Sequence, residues 1–312
     1  VWHIPPCRAS GRAIENELGV GCMKRGHGFI WAKALVILCG VLLLVGCDRR
    51  TEASMPERLT EVILETPMSF ATRFYPMDGM TCLDITAGEN GYLLLAQEND
   101  VMQEIALDAS FQVLSRQSAA PEAKALLREG KACFTYEGQA ETGFSVRQNG
   151  EEKFTVQGEP NCQMAAVGQT LYLVTAGQLY VDGQQVSLPE NWSATGLLKL
   201  KGQMLVALAS HEGEVEISFL YPVSPNLREV AAPEEGTSFS GLAGLCSWDD
   251  SYGYLLRENQ ICRTDGEELI VYIDLTQQNL DGAQLLRILP LTGGKLLLLW
   301  SDGFTVCTPT LE

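Results

Sequence analysis

The sequence predicts an all-β protein built as a six-bladed β-propeller, its last blade closed by an N-terminal strand. Three observations carry this expectation. One short phrase, a glycine followed by β-favouring apolar residues, returns six times. Asn-Gly and Asp-Gly pairs separate alternating segments. Helical patterns are almost absent beyond residue 57.

The phrase begins at Gly91, Gly130, Gly168, Gly202, Gly253 and Gly294, at intervals of 39, 38, 34, 51 and 41 residues. A strand-rich period near forty residues is the mark of a propeller blade. Within blades, Asn149-Gly150, Asp182-Gly183 and Asp265-Gly266 each separate two short β-like runs. These pairs tolerate positive φ at both central positions, which a two-residue hairpin requires. Leu171–Val174 and Leu296–Leu299 are apolar at every position. A sheet with one wet face alternates, whereas a blade between two neighbours is buried on both faces. The stretch Pro222 to Pro233 reads as a long inter-blade loop. After Phe304–Thr308 there is no room for an outer strand before Glu312. The alternating segment Leu59–Leu64 is therefore expected to complete the sixth blade, because an open ring leaves strand edges unpaired.

The propeller is expected to span residues 58–312, with residues 47–57 as a flexible tether. Ahead of these lie Lys24, Arg25 and Lys33, an apolar run from Ala34 to Val45, and then Leu44-Val45-Gly46-Cys47. The run is short of the about 20 apolar residues that a spanning helix needs, so it reads as a signal h-region. This segment resembles the lipobox of bacterial lipoproteins. The resemblance implies a signal peptide over residues 23–46, cleavage after the small Gly46, and lipid on Cys47. It implies a chain anchored to the cell membrane on the extracytoplasmic face. Residues 1–22 precede a good basic start and carry no apolar periodicity, and they read as an over-extended gene model in front of Met23.

Charge restricts the partners. Of 22 basic and 39 acidic residues, five and two lie in the first 46, which leaves a formal charge of −20 on the rest. Such a surface repels nucleic acid and anionic head groups. No nucleic-acid partner is expected, and membrane attachment rests on the lipid alone. Downstream of Cys47 the cysteines are Cys82, Cys133, Cys162, Cys246, Cys262 and Cys307. None forms a Cys-x-x-Cys pair or lies near a histidine at ligand spacing, so buried thiols are expected rather than a metal site.

The six phrases behind a lipobox resemble the propeller-like N-terminal region of clostridial extracellular solute-binding lipoproteins. The closest passage runs Val271-Tyr272-Ile273-Asp274-Leu275, Leu285 to Pro290, then Gly293-Gly294-Lys295-Leu296-Leu297-Leu298. The resemblance implies association with a transporter. It carries no solute capture, because the expected two-lobed α/β domain does not follow the propeller in the sequence to Glu312. A truncated remnant of such a protein is one alternative.

Catalytic signatures are sparse. His211, in Ser210-His211-Glu212-Gly213, is the one histidine after the leader and reads as a turn; one histidine does not build the common zinc sites. Gly-x-Ser-x-Gly and phosphate-cradling loops do not occur in the mature chain. Asp249-Asp250 is an adjacent acidic pair, but neighbouring side chains on an extended segment point apart, which suits neither glycosidase geometry. Trp248 and Tyr252 flank it, and aromatic rings beside acids suit sugar binding. Trp248, Asp249, Asp250 and Tyr252 are thus the candidate ligand contacts, with Trp248 foremost; Trp192 and Trp300 read as packing. The expectation is a non-catalytic binding or scaffold propeller for a protein or carbohydrate, without cofactor or metal. The rival is a propeller-type hydrolase or lyase acting on polysaccharide.

Overall fold

The computed structural model describes residues 59–64, 68–212, 215–232, 239–240, 243–278, 280 and 284–310. The readings of residues 1–22, of the signal peptide 23–46, of Cys47 and of the tether 47–57 lie outside the described residues.

Two strands come first, β1 (Thr60–Val62) and β2 (Phe70–Pro76). The first blade is β3 (Thr81–Ala87), β4 (Gly91–Glu98), β5 (Val101–Asp108) and β6 (Val113–Ser118). The second is β7 (Ala123–Glu129), β8 (Ala132–Gln139), β9 (Gly143–Gln148) and β10 (Glu151–Val156). The third is β11 (Cys162–Val167), β12 (Thr170–Thr175), β13 (Gln178–Val181) and β14 (Gln184–Val186). The fourth is β15 (Trp192–Leu200), β16 (Gln203–Glu212), β17 (Val215–Pro222) and β18 (Phe239–Ser240). The fifth is β19 (Ala243–Trp248), β20 (Gly253–Arg257), β21 (Gln260–Thr264) and β22 (Glu268–Asp274). The sixth holds β23 (Arg287–Pro290), β24 (Leu296–Trp300) and β25 (Gly303–Pro309), and β2 adds its outer strand. The chain is a six-bladed β-propeller whose last blade an N-terminal strand closes. Among the described residues no helix is long and apolar enough to cross a membrane.

Every glycine-led phrase has become the second strand of a blade, β4, β8, β12, β16, β20 or β24. The reason is burial on both faces. Side chains alternate across a strand, so successive residues meet opposite neighbours. Leu296 and Leu298 pack toward the fifth blade, while Leu297 and Leu299 pack toward the first. Met204, Val206 and Leu208 pack toward the third blade, and Leu205 and Ala207 toward the fifth. Among the described residues each pair of neighbouring blades encloses its own apolar layer. The layers on both sides of the sixth blade close the disc. Trp300 is core as expected, and its indole N–H donates to Thr305 Oγ1 at 3.0 Å. Trp192 packs edge-on against Phe219 with centroids 5.1 Å apart.

Four expectations are corrected. The closing strand is β2, not Leu59–Leu64: Phe70 to Pro76 pair antiparallel with Pro309 to Gly303. The segment around β1 instead runs parallel to β22 as a fifth strand on the fifth blade, with Thr60 opposite Glu268. Asp265-Gly266 is part of a three-residue connection between β21 and β22, because the Asp265 carboxylate accepts the Glu267 and Glu268 N–H groups. The other two pairs are two-residue hairpins, with φ of 52° and 85° at Asn149-Gly150 and 49° and 79° at Asp182-Gly183. His211 lies within β16 opposite Glu216, not in a turn. The stretch after Pro222 is not an inter-blade connection: it joins β17 to β18 within the fourth blade, and it packs on the third. Val230 N–H donates to the Ser187 carbonyl and Ser187 N–H to the Arg228 carbonyl, both at 2.9 Å, and Val223 and Val230 fill the layer between the third and fourth blades.

Cys82, Cys246, Cys262 and Cys307 are buried free thiols, with Cys133 and Cys162 half-buried. Burial pushes the Cys262 thiol up to about 11 and those of Cys82, Cys246 and Cys307 up to about 12. Thiolate is the reactive form, so these side chains serve as small hydrophobes.

Candidate functional site: the central channel

The innermost strands β3, β7, β11, β15, β19 and β23 neighbour one another in sequence order around the axis, and β23 returns to β3. Four of them are bulged: β3 between Cys82 and Asp84, β7 between Ala123 and Ala125, β15 between Ala194 and Gly196, and β19 between Ala243 and Cys246. A bulge bends a strand and re-aims its side chains. On β3 it directs Asp84 at two neighbouring blades.

Asp84 is 1% exposed, yet both its carboxylate oxygens accept hydrogen bonds. One carboxylate oxygen accepts Ile85 N–H at 2.8 Å and the Arg287 Nε–H at 2.6 Å; the other accepts Leu126 N–H at 2.8 Å. Arg287 also donates to the Cys162 carbonyl at 3.4 Å. Burial works against the guanidinium charge, but the Asp84 carboxylate and its hydrogen bond outweigh it and hold Arg287 above its ordinary value. On the opposite side Gln163 donates to the carbonyls of Leu197 (2.9 Å) and Cys246 (2.5 Å) and accepts Leu197 N–H at 2.8 Å. Gly196 makes room for this, because a Cβ there would meet Cys246 Sγ at 2.5 Å and Gln163 Oε1 at 3.0 Å. Three side chains thereby tie together all six inner strands.

Beside this belt lies a cavity of about 180 Å³. Its wall combines Ile85, Leu126, Met164 and Ile288 with Gln163, Ser247, Trp248 and Arg287. The expected ligand contacts are distributed as follows. Trp248, the last residue of β19, is half-buried and faces this cavity, although it also packs against the layers on both sides of the fourth blade. Asp249 is spent on its own turn: its carboxylate accepts the Ser251 and Tyr252 N–H groups at 2.7 and 2.8 Å and the Tyr254 hydroxyl at 2.8 Å. Burial and the Asp249 bond together keep the Tyr254 phenol protonated. Asp250 is exposed. Tyr252 belongs to the layer between the fifth and sixth blades, where the Arg263 guanidinium sits 4.3 Å from its ring centroid and 4.5 Å from that of Tyr272. Of the four, the structure brings Trp248 to the channel.

Sequence reasoning passed over Asp84, Gln163 and Arg287. Each carries a signal in retrospect: a charge or amide alone inside an apolar run, as in Cys82-Leu83-Asp84-Ile85 and Leu286-Arg287-Ile288-Leu289. A second crevice, between the first and second blades, is lined by Glu104 and Glu137. Both carboxylates are engaged, Glu137 by Arg147 and Glu104 by the Gln117 amide at 2.7 Å.

No family model matches the chain, and no curated protein does. Among solved structures it is similar to a Trichoderma reesei carbohydrate-active enzyme of family AA12, at 10% identity over 78% of this chain and 96% of that one, with TM-score 0.53. It is equally similar to the soluble aldose sugar dehydrogenase of Escherichia coli, at 7% identity over 77% of this chain and 100% of that one, again with TM-score 0.53. Likeness at these identities shows the propeller fold.

Proposed function

We propose that this chain is a lipid-anchored, extracytoplasmic propeller that binds a protein or carbohydrate partner at the mouth of its channel, performs no chemistry of its own, and works beside a transporter. The channel wall carries this reading. A hydrolytic channel needs two carboxylates free to face each other across the substrate. Here the acid in the belt, Asp84, is held by Arg287 and two backbone N–H groups, and the cavity presents apolar side chains with Gln163, Ser247, Arg287 and Trp248. A concave apolar wall with a few fixed polar groups is the ordinary make-up of a binding site.

Two measurements test it. On a glycan and small-solute array, the purified protein is expected to give a hit whose affinity falls about tenfold in Trp248→Ala, the loss of one good contact. Unaltered affinity removes Trp248 from the site. In a bacterial host, labelled palmitate is expected to mark the protein, and Cys47→Ser is expected to abolish the label and release the chain from the membrane fraction. A label that survives Cys47→Ser sinks the anchor.

A further inference from the structure

A crevice of about 320 Å³ opens on the rim between the sixth and first blades, away from the channel. Arg73 and Lys295 line it, and no Asp or Glu does among the described residues. This is unusual in a chain with 39 acidic and 22 basic residues. Of the other twelve described basic side chains, Arg116, Arg128, Arg147, Lys201, Arg257 and Arg287 pair with carboxylates and six have no ion pair, but none of those six lines this crevice. Arg73 and Lys295 have no ion pair among the described residues; Arg73 lies over the Tyr75 ring instead, 4.8 Å from its centroid. The opposite wall is aromatic. Phe111 stacks on Tyr92 with centroids 5.0 Å apart, and touches Tyr75 at 5.1 Å.

Phe111 supplies an independent observation. Its φ is +65°, a conformation that costs a bulky side chain energy and collects at functional positions. Asp108 imposes it: one carboxylate oxygen accepts both the Ser110 and Gln112 N–H groups at 2.8 Å, which locks the loop between β5 and β6. The strain holds an aromatic ring against the neighbouring blade, where it walls a positively charged recess.

We propose that this crevice binds an acidic sugar. Its carboxylate would lie between Arg73 and Lys295, where charge-assisted hydrogen bonds are strongest. Its hydroxyls would meet Thr308, and its C–H face the aromatic wall. A bare anion would leave that wall unused, and a neutral sugar would leave both cations without a partner. The site lies on different blades from Trp248, so it stands if the channel reading falls.

Calorimetric titration with galacturonate and glucuronate, against galactose, glucose, inorganic sulfate and inorganic phosphate, tests this. At least one sugar acid is expected to bind about tenfold or more tighter than its neutral counterpart, a preference that one charge-assisted contact supplies. Arg73→Gln with Lys295→Gln changes two exposed side chains and is expected to erase the preference, whereas Trp248→Ala is expected to leave it intact. The proposal is overturned if neither acid is preferred, if the preference survives the double substitution or disappears in Trp248→Ala, or if sulfate or phosphate binds as tightly as the sugar acids.

Discussion

Removing residues 1–76 is expected to lower the melting temperature by at least about 10 °C and to make the protein aggregate as concentration rises. Removing residues 1–67 is expected to cost only a small part of that. Both truncations delete β1, but only the longer one deletes β2. The pairing of β2 with β25 runs seven residues, from Phe70 opposite Pro309 to Pro76 opposite Gly303. It is extended at one end by Thr310 N–H donating to the Ser69 carbonyl and at the other by Met77 N–H donating to that of Asp302, both at 2.9 Å. Phe70 is buried in the layer between the fifth and sixth blades, 5.1 Å and nearly perpendicular to Tyr272. Without β2, the β25 edge is a row of unpaired backbone groups, the template on which chains pair with one another. At this chain length about 10 °C corresponds to roughly 3 kcal/mol. By contrast β1 pairs over three residues on the edge of a blade that already has four strands. Thermal melts of the two truncations decide the matter, and equal midpoints would sink the assignment of β2 as the seal.

The reason the sequence points to the wrong strand is physical. Leu59–Leu64 alternates, and alternation is the signal of a half-buried strand. The outer strand of a blade is not half-buried. From Ala71 to Phe74 every residue of β2 is exposed, and the strand contains Arg73 and Pro76. Proline is tolerated at an edge because no ladder bond is required on that side. Such a strand is held by its backbone and leaves little trace in side-chain pattern. The second strands are the opposite case. Leu296–Leu299 are all fully buried, each faces one of two neighbouring blades, and their hydrophobicity marks the blade directly. The site was legible in the same proportion. Trp248 stands out as an aromatic side chain beside acids, and it reaches the channel. Asp84 and Arg287 lie 203 positions apart, and only closure of the ring brings them together. Nothing local records that they meet.

That meeting point underlies the second large effect. Asp84→Ala is expected to destabilise the fold by about 3–5 kcal/mol, the cost of leaving a buried charge without its counter-ion, and so to lower the melting temperature by about 10 °C. It strands the Arg287 guanidinium, whose side chain is 16% exposed, and also orphans the Ile85 and Leu126 N–H groups. Arg287→Met is expected to harm in the converse way, leaving a carboxylate that is 1% exposed with two neutral donors. Combining the substitutions removes both charges. The double variant is therefore expected to be less destabilised than the sum of the two single ones, as coupled residues are, though not restored, because Leu126 N–H still has no acceptor. Denaturant melts of the four proteins give the coupling directly. If the costs simply add, the pair is not a latch, and the six inner strands must owe their alignment to the apolar layers between blades alone. If they couple, the inner ring is held by charge at the one place where the first, second, third and sixth blades converge, and the channel mouth inherits its rigidity from that bond.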